Sequence, residues 1–370
     1  MKIGFDAKRA FHNRRGLGNY SRDTIRLLSE QLPDNQYFMF TPKANVSLFH
    51  DYQSNCQAVF PQSSFYKLCP SLWRTTGICS DIKKQKIDVF HGLSHELPYG
   101  IEKLNLHTVV TMHDLIFFKF PSLYPLIDRF IYKKKYKHSC QIADTVIAIS
   151  EQTKRDLVEL FHLNEDKIEV VYQGCNRIFQ AEISADIKEQ VRRKYNLPNS
   201  FMLQVGAIEK RKNQEVILKA MHIGKMDCPL VLIGSATTYL EELKVYIREY
   251  QLDNQVFILQ NVPTSDLPAL YQSASVFLYP SVFEGFGIPL LEALWSKTPV
   301  IAATGSCLEE SGGPFSRYVS PHDAENWAAE IENVLYNSDL QKYMTENNGS
   351  HLQQFTDEAI ARHLAAVYNY

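Results

Sequence analysis

Tyr279 to Leu294 reads YPSVFEGFGIPLLEAL and follows a short apolar run, Ala274 to Leu278 (ASVFL). The run fits a strand buried on both faces. Pro280, Gly285 and Gly287 then interrupt regular structure. Pro289 suits the first turn of a helix, where its missing N–H would have no intrahelical partner. Leu290, Leu291, Ala293 and Leu294 make that helix apolar. Strand, glycine turn and helix form the repeating unit of an open α/β sheet, which binds ligands at the carboxyl ends of its strands. Glu284 is predicted on the loop at such an end, and Glu292 in the first turn of the helix.

The backbone N–H groups of Gly285, Phe286 and Gly287, with the helix start, suit a phosphate. Carboxylates beside a phosphate would repel it, so Glu284 and Glu292 are expected to meet hydroxyls flanking it. A nucleotide sugar offers that pattern, with ribose on one side and hexose on the other.

Working outward, both halves of the chain alternate strand and helix. Strands are predicted at 2–6, 37–41, 89–91, 107–112, 143–150 and 167–172, and again at 201–205, 229–234, 256–259 and 298–302. The alternation calls for parallel sheets covered by helices. At 370 residues about two domains are expected. They are read as 1–175, a linker over 176–199, 200–350, and a C-terminal helix over 351–370 that packs back on the first domain. Two such domains facing one another across a cleft would enclose a site.

Hydrophobic residues at 45% and charged residues at 22% describe an ordinary globular protein. No apolar run is long enough to span a membrane and no secretory signal is visible. A net charge of −2 argues against broad nucleic-acid binding. Seven cysteines without a CxxC pair suggest reduced thiols in a cytoplasm and no structural zinc.

Several loops carry candidate chemistry. His12 to Gly18 (HNRRGLG) is a basic glycine loop between strand and helix, but Ser21 breaks the dinucleotide pattern after Gly16 and Gly18. His113 and Asp114 follow HTVVTM at a strand tip, where the imidazole could meet a sugar hydroxyl or a phosphate. After FMLQV comes GAIEKRKN (206–213), which aims Arg211 and Lys212 where they could grip a diphosphate. The turn 260–263 places Val262 where a base could meet backbone groups. Ser63 to Ile87 and Arg129 to His138 mix aromatics with Lys and Arg. A solvated helix on the core accounts for both, and so does peripheral contact with an anionic membrane.

Together these motifs resemble family 4 of the retaining glycosyltransferases, of the GT-B fold. The resemblance rests on the E-x7-E pattern in FEGFGIPLLEA, the clamp turn GAIEKRKN, His113-Asp114, Gly16 to Tyr20 (GLGNY) and AISEQTKRDL, and it runs nearly end to end. It implies two Rossmann-like domains and a nucleotide-diphosphate sugar held mainly by the second. Glu292 would bind ribose, Glu284 the transferred sugar, Arg211 and Lys212 the diphosphate, and His113 the sugar. Gly16, Gly18, Gly206, Val262, Gly285, Phe286, Gly287 and Ile288 would surround the donor. No cofactor or obligatory metal is implied, because basic side chains and helix dipoles take that role. The acceptor would be a glycan or lipid-linked oligosaccharide in surface-polysaccharide synthesis, at the inner face of the plasma membrane. The RKN spelling of the clamp resembles a subgroup using GDP-mannose. Many relatives have Arg after the clamp glycine where this chain has Ala207, leaving Arg211, or Arg14 and Arg15, to carry more of the charge. A catalytically silent binder on the same fold would be expected to lose clamp or carboxylate residues, and a dinucleotide oxidoreductase would need the missing glycine.

Overall fold

The structure is a computed structural model describing residues 1–43, 48–49 and 52–369. It divides into two compact units, Met1–Gln173 with Thr356–Tyr370, and Gly174–Phe355.

The first unit holds β1 (Lys2–Asp6), β2 (Gln36–Phe40), β3 (Cys56–Val59), β4 (Val89–Gly92), β5 (His107–Met112), β6 (Thr145–Ala148) and β7 (Ile168–Val170). They form one sheet in the order β3-β2-β1-β4-β5-β6-β7, parallel throughout. The second unit holds β8 (Met202–Val205), β9 (Leu230–Ile233), β10 (Val256–Leu259), β11 (Val276–Tyr279), β12 (Val300–Ala303) and β13 (Arg317–Val319). Their order is β10-β9-β8-β11-β12-β13, again all parallel. Central strands such as LVLI, VFLY and VIAA are buried along their whole length. Helices on both faces of a parallel sheet require such unbroken apolar runs. The edge strands β3 and β13 escape the sequence reading because each keeps an exposed residue in a short, mixed run.

In each sheet the strand order reverses once, between β1 and β4 and between β8 and β11. The loops leaving those strands diverge and open a crevice at the switch point. In the second unit these loops are 206–213 and 280–287.

Gly16 and Gly18 are not in a loop. A short helix, Lys8–His12, follows β1, and the next helix begins at Gly16 and runs to Gln31. A Cβ on Gly18 would stand 1.8 Å from the Asn13 carbonyl oxygen, so glycine here lets the helix start close against the preceding turn. Arg14 and Arg15 are exposed just before it.

The helix Asp357–Tyr368 belongs to the first unit. Ile360, Leu364 and Val367 join Ile3, Phe5, Ile25 and Leu28 in one core, and Asp357 pairs with Arg26 at 3.2 Å. Residues 176–199, expected as a linker, lie in the second unit. There Phe179 packs edge-on against Tyr271, and Lys194 and Tyr195 both bond Asp266, at 2.6 and 2.7 Å.

The region 63–87 is not one amphipathic helix. It breaks into Ser64–Leu68, Pro70–Leu72, the π-turn Trp73–Gly77 and Ile78–Gln85. Trp73 is buried and donates to Asp81 at 2.7 Å.

Candidate active site

The loop after β11 is built around Glu284. Gly287, at φ +117, turns the chain into the helix Ile288–Trp295; a side chain there would meet Ser311 Oγ at 2.7 Å in a backbone conformation that L residues avoid. The loop carbonyls are held from below, with Cys307 Sγ on the oxygens of Glu284 and Phe286 and Ser311 Oγ on that of Phe286. Glu284 is thereby presented, buried, to the loop after β8.

That loop supplies two cations. Lys212 Nζ donates to Glu284 Oε1 at 2.5 Å and to Tyr279 Oη at 2.7 Å, while Arg211 Nη1 lies 2.8 Å from Glu284 Oε2. Ser281 Oγ donates to Oε1 at 2.5 Å. Arg211 also donates to the Phe283 carbonyl and pairs with Glu209. Burial would raise the Glu284 carboxyl, but Lys212 and Arg211 overcome it and hold the group at about 2. Arg211 is held above its ordinary range: burial works against its charge, and Glu284 and Glu209 outweigh it.

Two charges of each sign make this cluster neutral, yet donors remain. An ammonium has three N–H groups and a guanidinium five. Lys212 spends two here and Arg211 three.

Glu292 stands in a different environment. The helix begins at Ile288, so Glu292 opens its second turn rather than lying in the first. Its Oε2 accepts from Tyr271 at 2.8 Å. The carboxyl is enclosed although the residue keeps partial exposure, and burial pushes it up to about 7 against the pull of Tyr271. Two carboxylates eight residues apart thus differ near neutral pH, Glu284 fully ionised and Glu292 about half protonated.

Gly206 follows β8, with Ala207 beside it, and Gly285, Phe286 and Gly287 lead into the helix that begins at Ile288, where Pro289 has no N–H and Leu290 N–H donates to the Gly287 carbonyl at 2.9 Å. Val262 is partly exposed beyond the edge strand β10, two strands away from the switch point. Gly16, Gly18 and His113 belong to the first unit. His113 is buried; its Nε2 donates to the Leu93 carbonyl at 2.9 Å, and its ring meets Tyr20 edge-on. Burial lowers it to about 4, so the ring is neutral and Nδ1 is an acceptor. That chemistry suits a hydroxyl, not a phosphate.

Two family descriptions match the chain in tandem, Glycosyltransferase Family 4 over residues 15–177 and Glycosyl transferases group 1 over residues 187–351. The chain belongs to glycosyltransferase family 4. It is 28% identical over 283 residues to the O-antigen chain mannosyltransferase B of Escherichia coli, covering 75% of this chain and 73% of that one. To the O-antigen chain mannosyltransferase RfbU of Salmonella typhimurium it is 28% identical, over 61% of this chain and 60% of the other. Among solved structures, a glycosyltransferase from Rickettsia africae superposes with a TM-score of 0.77 at 18% identity, covering 100% and 97% of the two chains. Anabaena HepE in complex with UDP and glucose does so with 0.75 at 17%, covering 100% and 99%. These likenesses show the fold, GT-B, with its two Rossmann-like units. Family membership makes the chain a retaining glycosyltransferase that uses a nucleotide-sugar donor and a glycan acceptor.

For this glycosyltransferase several contacts went unread in the sequence. Tyr279, Ser281 and Glu209 complete the Glu284 cluster, and Tyr271 holds Glu292. Ser281, Tyr279 and Glu209 lie within the quoted motifs, so their nearness was a usable signal; Tyr271 gave none. In the first unit, Asp6 at the end of β1 binds Arg74 at 2.6 Å, which also binds Glu96 at 3.0 Å. Partners 68 and 22 residues apart leave no local pattern. No helix is long and apolar enough to cross a membrane, and no cluster of three metal-ligating side chains occurs among the described residues.

Proposed function

We propose that the chain transfers a hexose, mannose before others, from a nucleoside-diphosphate sugar to a glycan or lipid-linked acceptor in surface-polysaccharide assembly. The observation carrying this reading is the buried Glu284 paired with both Arg211 and Lys212 at the switch point of the second sheet. The two cations keep spare donors for the diphosphate and stabilise the charge that develops on the leaving group, an electrostatic role that needs no reorganisation. Glu284, ionised throughout the neutral range, orients the sugar through its hydroxyls; Glu292 takes the ribose, and the backbone of Gly206, Val262 and Gly285 to Ile288 borders the donor. Nδ1 of His113 accepts from a sugar hydroxyl. A donor phosphate oxygen serves as the base for attack on the retained face. The mannosyltransferases named above support mannose. Seven free thiols support a reducing compartment such as the cytoplasm.

A panel of nucleoside-diphosphate sugars tests this through thermal stabilisation and slow nucleotide release. GDP-mannose is expected to give the largest shift and the fastest release. No shift with any donor, or turnover by Glu284→Ala near that of the wild type, would overturn the reading.

A further inference from the structure

The helix Leu126–Ile142 carries an exposed face that the transfer chemistry does not use. Tyr132 and Tyr136 turn inward onto the core of the first unit. At 100° per residue the opposite face gathers Leu126, Ile127, Phe130, Ile131, Lys134 and Lys137, with Lys133 on its flank. Its first two turns are apolar and exposed: Leu126 keeps 77% of its surface, Ile127 73% and Phe130 69%, with Leu123 just before the helix at 45%. Its next turns are basic. The segregation runs along the axis instead of around it, so the helix has an apolar tip and a cationic shaft. Beside the tip lies a shallow groove of about 230 Å³ lined by Phe117, Phe118, Leu126, Arg129, Phe130 and Lys133. Lys133 Nζ rides over the Phe118 ring at 5.3 Å, at the groove's rim.

Side chains this apolar are left in water only at a cost unless something covers them. Arg129, Lys133, Lys134 and Lys137 share the helix with one acid, Asp128, in a chain whose overall charge is −2. The concentration of positive charge is therefore local. We propose that this helix docks the protein on an anionic phospholipid bilayer, tip first. Leu126, Ile127 and Phe130 enter the acyl boundary, the groove accommodates a lipid chain, and the three lysines meet headgroup phosphates one to two turns higher. A bilayer interface presents those two chemistries at successive depths. Nucleic acid has the phosphates without the apolar layer. The inference stands apart from the transfer reading, since it uses none of the donor residues.

The test is co-sedimentation of the full chain with vesicles of phosphatidylcholine alone or mixed with phosphatidylglycerol. The wild type is expected to pellet with the mixed vesicles only, and less as salt rises. Substituting Lys133→Gln, Lys134→Gln and Lys137→Gln together should weaken partitioning on the order of a hundredfold, about fivefold for each charge. Ile127→Ser with Phe130→Ser should weaken it at least tenfold, by roughly the transfer of two large apolar side chains. All five positions are exposed or half-buried on this helix, and unchanged melting of the variants verifies the fold. Failure to pellet with the mixed vesicles, equal pelleting with both kinds, or wild-type pelleting by either variant would overturn the proposal. So would a vesicle-free dimer in sedimentation velocity that Ile127→Ser with Phe130→Ser dissolves, because a second copy would then cover the face.

Discussion

Replacing Glu284 by Gln keeps the shape of the site and removes its central negative charge. In the wild type the carboxyl is held at about 2 from an ordinary 4.5. A depressed carboxyl contributes stability above its unfolded value, lost only as pH falls through the folded one, so at pH 7 the contribution is complete. A shift of this size corresponds to about 3 kcal/mol, in line with the roughly 3–5 kcal/mol typical of a buried pair that loses one partner. For a unit of this length that lowers the melting point by on the order of 10 °C. The same substitution leaves Arg211 and Lys212 with only Glu209 against them, and the neutral cluster becomes singly positive. Nucleoside diphosphate should then bind the variant at least about fivefold more tightly, a gain of roughly 1 kcal/mol, while transfer is lost. Differential scanning fluorimetry with and without diphosphate measures both effects, and calorimetry gives the affinity. A variant that melts within a few degrees of the wild type, or binds diphosphate no better, refutes the electrostatic account of the clamp.

Arg211→Ala and Lys212→Ala should each weaken diphosphate binding and slow turnover, each leaving Glu284 with a single cation; steady-state kinetics with a diphosphate competitor reads both. Glu292, raised to about 7 by burial, stabilises the fold below its unfolded value, and that contribution fades as pH rises through 7. Urea unfolding of the ligand-free protein should therefore lose up to about 3 kcal/mol between pH 5 and 8, less for the partial exposure, and Glu292→Gln should flatten the profile. Gly287→Ala forces a side chain into a left-handed position against Ser311 and should cost on the order of 1–3 kcal/mol, seen as a lower urea midpoint. Transfer in excess chelator should match that without it; a loss rescued by Mg²⁺ would contradict the metal-free clamp.

The two parallel sheets were legible because strands buried on both faces must be written as apolar runs, and VFLY or LVLI can hardly be read otherwise. The loops at their ends were legible because Pro and Gly restrict the backbone locally. Where the reading slipped, the cause was a boundary or a tertiary contact. Gly16 and Gly18 looked like part of a loop and instead open a helix that passes close to Asn13. Trp73 looked like part of an amphipathic face and is buried, because the chain breaks four ways around it. Residues 176–199 lack a strong pattern, yet Phe179 fills a place against Tyr271 that no local rule announces.

Sequence alone therefore determined the sheet class, the position of Glu284 at a strand's carboxyl end with Glu292 in the helix that follows, and the basic turn at 210–212, since each depends on neighbours within a few residues. Only the tertiary structure decided what those groups do to one another. Strand β11 lies beside β8, which sets Glu284 against cations 72 and 73 residues earlier in the chain and keeps it ionised. The same packing encloses Glu292 with Tyr271 and no cation, which lifts it toward neutrality. Charge state depends on burial and through-space partners, and neither is written in the spacing of a motif.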